Sequence, residues 1–182
     1  TYRSSYYICT MSPPSSGGIA IAQSLGILEN FDLSQYGPTN PSNEGGVPSV
    51  MGVHLVSEAQ RLAYADRDKY VADTDFIPLP ANGVSSMIDK AYLKQRAALI
   101  NADGKSMGTA TAGNLGDVPL GVDKTVEKGT THFSIVDAYG NVVSMTSTVE
   151  SSMGSYHMVG GFLLTNQLTD FSFTSVDAAG LP

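Results

Sequence analysis

Thr130-Thr131-His132-Phe133-Ser134-Ile135-Val136-Asp137-Ala138-Tyr139-Gly140-Asn141-Val142-Val143-Ser144-Met145-Thr146-Ser147-Thr148 is the stretch whose reading decides the fold. Residues 131–136 and 142–149 are rich in Val, Thr, Ile and Phe, side chains that suit a pleated, half-buried surface. Between them, Asp137-Ala138-Tyr139-Gly140-Asn141 offers turn formers that tolerate unusual backbone angles, so an antiparallel hairpin is predicted. Pairing Val136 with Val142 sets Thr130 opposite Thr148, and directly opposed residues hold their Cβ atoms roughly 4.5–5.5 Å apart. Alternation then gathers Thr130, His132, Ser134, Ser144, Thr146 and Thr148 on one polar face. Phe133, Ile135, Val143, Met145 and Val149 fall on the other face, which is expected to be core. A bulge would shift this register by one residue.

The start of the first strand permits a particular chemistry. A Thr hydroxyl is a poor nucleophile without a base, and the nearest base is the residue's own α-amine, freed when the preceding bond is cut. Such amines titrate near 7.7–8.0, so a useful share is neutral at physiological pH. Gly129 places no side chain in the way of attack by Thr130 on its carbonyl, so self-cleavage at Gly129–Thr130 is permitted. The residues alone leave a second reading open, in which a solvated Thr/Ser face lies on an ordinary hairpin.

Further motifs narrow the choice. The run from Thr130 through Gly154, continued by Gly160-Gly161-Phe162-Leu163-Leu164-Thr165-Asn166-Gln167-Leu168-Thr169-Asp170-Phe171-Ser172, closely resembles the γ-glutamyltranspeptidase family. Met11-Ser12-Pro13-Pro14-Ser15-Ser16-Gly17-Gly18, Leu25-Gly26-Ile27-Leu28-Glu29-Asn30-Phe31-Asp32 and Ala63-Tyr64-Ala65-Asp66-Arg67 match that family in the same order. The resemblance implies an N-terminal-nucleophile hydrolase made as a precursor that cuts itself into two subunits. It implies Thr130 as nucleophile and Thr148 as the threonine that hydrogen-bonds it. It also implies Gln167 and Asp170 as the pair holding the substrate's α-amino group, where a carboxylate gives the stronger, charge-assisted hydrogen bond. By themselves, Gln167 and Asp170 could equally serve turn chemistry and helix capping. Glu150 departs from the pattern, standing where many members carry Asn, and would direct a second carboxylate at the substrate ammonium or suit a different donor.

Composition sets bounds. At 182 residues and 42% hydrophobic, the chain can bury a core within the size range of one domain. A net charge of −7 argues against nucleic acid and anionic membrane surfaces as partners. No apolar run approaches the roughly 20 residues that cross a bilayer, and no metal-ligand spacing is present. No cofactor is expected. Cys9 cannot form an internal disulfide. His54 and His157 are expected to be structural.

The first hundred residues read as helical. Ser15/Ser16 can cap a helix over about 17–28, and Pro48 and Ser49 precede one over about 50–71. In the latter, Met51, Leu55, Ala59, Leu62 and Tyr70 form an apolar stripe, while Glu58, Arg61, Asp66 and Lys69 are expected to face water. A third helix, about 85–100, has Ser85 as cap and Met87, Ala91, Leu93, Ala98 and Ile100 as buried candidates. Residues 101–129, short of large apolar side chains and holding six Gly, read as a long exposed connection.

The helical first part and the hairpin predict an α+β fold, and the resemblance implies that it is part of a four-layer αββα N-terminal-nucleophile hydrolase sandwich. Residues 1–129 would be the C-terminal part of the large subunit, and 130–182 the N-terminal part of the small catalytic one. The family's Ser-Ser segment, Gly-Gly oxyanion hole and carboxylate-binding Arg have no counterpart here, so the chain reads as a fragment, expected to be nearly inactive alone. The expected function of the parent is γ-glutamyl transfer or hydrolysis, with a γ-glutamyl donor, water or an amino acceptor, and the rest of the same precursor as partners. The resemblance implies a periplasmic or secreted location, with a cytoplasmic one left open. Two alternatives stand beside this: a self-processing acylase acting on another acyl donor, and an unprocessed, non-catalytic scaffold.

Overall fold

The computed structural model describes residues 1–40, 46–119, 130–167 and 176–181. The chain separates into two compact units, Thr1–Leu120 and Gly121–Pro182.

The first unit is helical. Helix α1 spans Gly17–Leu28, α2 Val50–Tyr70, the short α3 Val84–Met87 and α4 Lys90–Ala97, with a 3-10 turn at Leu33–Tyr36. Ser49 caps α2 by accepting a hydrogen bond from Gly52 N, satisfying one of the orphan donors of the first turn. Ser16 stands at the N-cap of α1 but makes no capping bond; its hydroxyl accepts instead from Arg67 Nε at 3.2 Å. The apolar stripe of α2 meets α1 and α4 in one core containing Ile27, Leu55, Ala59, Leu62, Leu93 and Ile100. Met51 packs at its margin. The predicted third helix is broken, because Asp89 leaves helical geometry and its side chain caps α4 by accepting from Tyr92 N. Met87, Leu93 and Ile100 are buried as expected, whereas Ala91 and Ala98 are exposed and Tyr92, Arg96 and Ala97 take their place.

Two carboxylates expected in water are buried. Asp66 is 1% exposed and Glu58 4%. A buried charge must be paired and hydrogen-bonded, and Asp66 is. Its Oδ2 accepts from Tyr92 Oη at 2.6 Å and Gln23 Nε2 at 3.1 Å; its Oδ1 accepts from Gly113 N at 2.8 Å and pairs with Arg96 Nη2 at 3.1 Å. Burial, and then the bond to Asp66, push the Tyr92 phenol far above its usual range. Arg96 Nη2 also donates to Thr111 O at 2.7 Å, and Tyr70 Oη to Gly113 O at 2.6 Å. Gly113 is needed here for close approach: a Cβ would lie 2.1 Å from Tyr92 Oη.

Residues 101–119, the described part of the predicted exposed connection, are exposed or half-buried, and these bonds nonetheless tie their backbone to the helical unit. Met107, Ala110 and Leu115 pack on the helical core, and the backbone of 107–115 is held by buried side chains. The segment lacks apolar periodicity because its main-chain groups, rather than a side-chain stripe, make the attachment. Glu58 is a second anchor, accepting from Met107 N at 3.2 Å and from Arg61 Nη1 at 2.5 Å. Burial raises the Glu58 pKa, but the Met107 N–H and the Arg61 guanidinium together hold it below the usual carboxylate value. A depressed folded pKa contributes stability that is present above the unfolded value and lost as pH falls through the folded one. Lowering the pH from 6 to about 3 should therefore destabilise the wild type more than Glu58→Gln, with unfolding midpoints across that window as the measurement.

The second unit contains β1 (Thr131–Val136) and β2 (Val142–Ser147), paired antiparallel from Val136↔Val142 to Thr131↔Ser147, the register read from the sequence. Asp137 builds the turn: its Oδ1 accepts from Tyr139 N and Asn141 N, both at 2.8 Å, and its Oδ2 from Asn141 Nδ2 at 2.7 Å. The apolar face is a correction. Phe133, Ile135, Val143 and Met145 are 39–55% exposed, and Val149 is half-buried. A two-stranded ribbon cannot bury a face without a second layer packed on it. A smaller hairpin follows, β3 (Met158–Val159) and β4 (Phe162–Leu163), turned by Gly160-Gly161. The fold is mixed helix and sheet.

Candidate active site

The polar face of the β1–β2 hairpin is organised around His132. Its Nδ1 lies 2.7 Å from Thr146 Oγ1, and its Nε2 lies 3.2 Å from Ser144 Oγ and 3.3 Å from Ser134 Oγ. The ring thus ties both strands together on the face predicted to carry the hydroxyl row. Thr130 and Thr148 are the residues immediately beyond the last ladder pair, Thr131↔Ser147. Thr130 is exposed and Thr148 half-buried. The Thr148 Oγ1 accepts from Glu150 N at 2.9 Å, and a hydroxyl accepting such a bond keeps its own proton to donate.

An open cavity of about 630 Å³ is lined by Thr131 and residues 147–152. It brings Thr148 and Glu150 together beside the end of β1. Glu150 has φ +71°, a left-handed conformation that costs a non-glycine residue roughly 1–2 kcal/mol. Asn tolerates this region better than Glu. The chain after Glu150 folds back on 164–166. Ser151 N and Oγ donate to Asn166 Oδ1 at 3.2 and 3.1 Å, and Ser155 N donates to Leu164 O at 2.9 Å. Gly154, at φ +55°, permits the crossing, since a Cβ there would lie 2.1 Å from Leu164 O. Gln167, exposed, follows Asn166, and its N–H donates to Thr165 Oγ1 at 3.0 Å. Gly129 and Asp170 lie outside the described residues.

Asn166 and Ser151, which tie the Glu150 corner to the Gln167 segment, escaped the sequence reading. Their contact spans 15 residues without any periodic signal. His54 and His157 hold backbone carbonyls, those of Asn101 at 2.9 Å and Ser155 at 2.8 Å. Among the described residues no group of three or more His, Cys, Asp or Glu is disposed to hold a metal ion, and no helix is long and apolar enough to cross a membrane.

The hairpin ladder thus closes at Thr131↔Ser147, with Thr130 and Thr148 the next residues out and Glu150 two beyond the second. The sequence profile of gamma-glutamyltranspeptidase matches residues 1–182, and the chain belongs to that family. It is 39% identical over 177 residues to the glutathione hydrolase proenzyme of Bacillus subtilis strain 168, covering 91% of this chain and 28% of that one. It is 38% identical over 170 residues to the glutathione hydrolase proenzyme of Escherichia coli K12, covering 92% and 26%. The acylase ACY 1 proenzyme of Pseudomonas sp. strain SE83 is 36% identical over 161 residues, covering 88% and 25%. The chain therefore spans about a quarter of the length of these relatives.

Proposed function

We propose that the full-length protein carrying this chain is a self-processing γ-glutamyl hydrolase or transferase whose nucleophile is Thr130. The observation that carries the proposal is the hairpin register, which ends beside the cavity holding Thr148 and Glu150 with Thr130 as the next residue out. Family membership and the glutathione hydrolase relatives support it. In processing, the Thr130 hydroxyl attacks the Gly129 carbonyl and the Gly129–Thr130 C–N bond breaks, which frees the Thr130 amine; water then hydrolyses the resulting ester to the Gly129 carboxylate and the Thr130 hydroxyl. The division at 129/130 then separates the end of a large subunit from the start of a small one. In turnover, the same hydroxyl attacks the γ-amide carbonyl of the donor while its own amine takes the proton and returns it to the leaving amine. The ester formed on Thr130 passes its acyl group to water or to an amino acceptor. Gln167, Asp170 and Glu150 grip the donor ammonium.

The acylase relative and the Glu150 departure favour a second reading, the same chemistry on another acyl donor. Comparing γ-glutamyl and glutaryl anilides as substrates for the full-length protein separates the two. Preference for the γ-glutamyl donor is expected. Turnover of the glutaryl donor alone would overturn the γ-glutamyl reading in favour of the second.

Glu150→Gln should raise the Michaelis constant for γ-glutamyl donors about tenfold, the loss expected for one charge-assisted contact, with less effect on acyl-enzyme breakdown. An unchanged constant for every donor would remove Glu150 from the site. Thr148→Val keeps shape and strand propensity but deletes the hydroxyl. It should slow self-cleavage and acylation together, since a misaligned nucleophile can cost about 100-fold. Normal kinetics in this variant would place Thr148 outside the machinery.

A further inference from the structure

The corner that carries Glu150 is held in place by a residue from another segment. Glu150 N donates to Thr148 Oγ1, and on either side of Glu150 the main chain is tied to residue 166. The Val149 carbonyl accepts from Asn166 N at 3.4 Å, while Ser151 N donates to Asn166 Oδ1 at 3.2 Å. The same Asn166 oxygen accepts from Ser151 Oγ at 3.1 Å, and Ser151 Oγ also reaches Gly154 O at 3.3 Å. Residue 166 therefore grips both neighbours of Glu150, one through its backbone and the other through its side chain. A non-glycine residue at φ +71° persists only where its surroundings over-determine the conformation. Of the groups that do so here, the Asn166 amide oxygen is the one a side-chain substitution at 166 can remove.

We propose that Asn166 is a positioning residue that sets donor selectivity. Its side-chain oxygen locks Ser151 and so keeps Glu150 in the left-handed conformation in which it lines the cavity. Without that oxygen, Glu150 relaxes toward ordinary φ, its carboxylate withdraws, and donors that carry an α-ammonium lose a partner. Donors that lack the ammonium lose little. The selectivity part of this inference rests on the γ-glutamyl reading; the positioning part does not.

The test uses the full-length protein with Asn166→Ala, Asn166→Asp and Asn166→Ala combined with Glu150→Gln. Amide hydrogen exchange at Ser151 should accelerate about tenfold or more in Asn166→Ala, as for loss of one neutral hydrogen bond, and stay slow in Asn166→Asp, which retains an acceptor. The Michaelis constant for a γ-glutamyl anilide should rise about tenfold in Asn166→Ala, while that for a glutaryl anilide changes less than about twofold. In the Glu150→Gln background, Asn166→Ala should add almost nothing, because residues acting through one contact are not additive. Unchanged Ser151 exchange in Asn166→Ala overturns the positioning role. A fall in kcat with unchanged Michaelis constants, or full additivity with Glu150→Gln, overturns the selectivity role. A wild type inert toward γ-glutamyl donors sinks the functional reading instead, and Ser151 exchange still decides the positioning.

Discussion

Asp66→Ala should cost about 3–5 kcal/mol of stability, because it leaves the Arg96 guanidinium buried without its partner. The loss is not confined to one ion pair. Gln23 Nε2, Tyr92 Oη and Gly113 N would all lose an acceptor, the first two of them in buried bonds. Against a typical total of about 5–15 kcal/mol, such a change leaves a domain marginal. Asp66→Asn is the informative control. Its amide oxygen can still serve Gly113 N and Arg96, while its NH2 can turn toward the Tyr92 oxygen, so a smaller loss is expected. Denaturant midpoints of the two variants and of the wild type check the ranking. An unchanged midpoint in Asp66→Ala would contradict the network's structural role.

Thr130→Ala should abolish both self-cleavage and acyl transfer in the full-length protein. Deleting the nucleophile of a hydroxyl-based enzyme typically costs about a million-fold in turnover, so the variant should read as background. Its precursor should accumulate whole. Thr130→Ser retains a hydroxyl and an α-amine and should still process, more slowly, since it lacks the methyl group that restricts χ1 of threonine. Efficient cleavage of the alanine variant at the same bond would remove Thr130 from the nucleophile's role.

How much of this was legible in the sequence depended on where each residue's partners lie along the chain. Helix α2 was readable because its signals are local: Ser49 caps it, and Leu55, Ala59, Leu62 and Tyr70 recur on one face. The hairpin register was readable for the same reason, since Asp137 makes its turn bonds within four residues. Glu58 and Asp66 were misread because periodicity assigns a charge to solvent. Apart from Arg61, three residues on from Glu58, their partners lie far off in sequence, at Met107 and Ser106 for Glu58, and at Gln23, Tyr92, Arg96 and Gly113 for Asp66. The same distance hid the attachment of residues 107–115, which offer backbone groups instead of an apolar stripe. Asp89 was missed as a helix cap because it sits inside what reads as one continuous helix. At the candidate site, alternation pointed to Thr148 and the resemblance to Glu150, and both line the cavity. The clamp by Asn166 could not, because an amide oxygen reaching back 15 residues leaves no pattern in the sequence.

The central claim is that Thr130 becomes an N-terminus, and intact-mass analysis with N-terminal sequencing of the wild-type full-length protein tests it most directly. The account predicts two chains, the downstream one beginning Thr130-Thr131-His132-Phe133. A single unbroken chain that turns over γ-glutamyl donors, or a new terminus at any other residue, would contradict it.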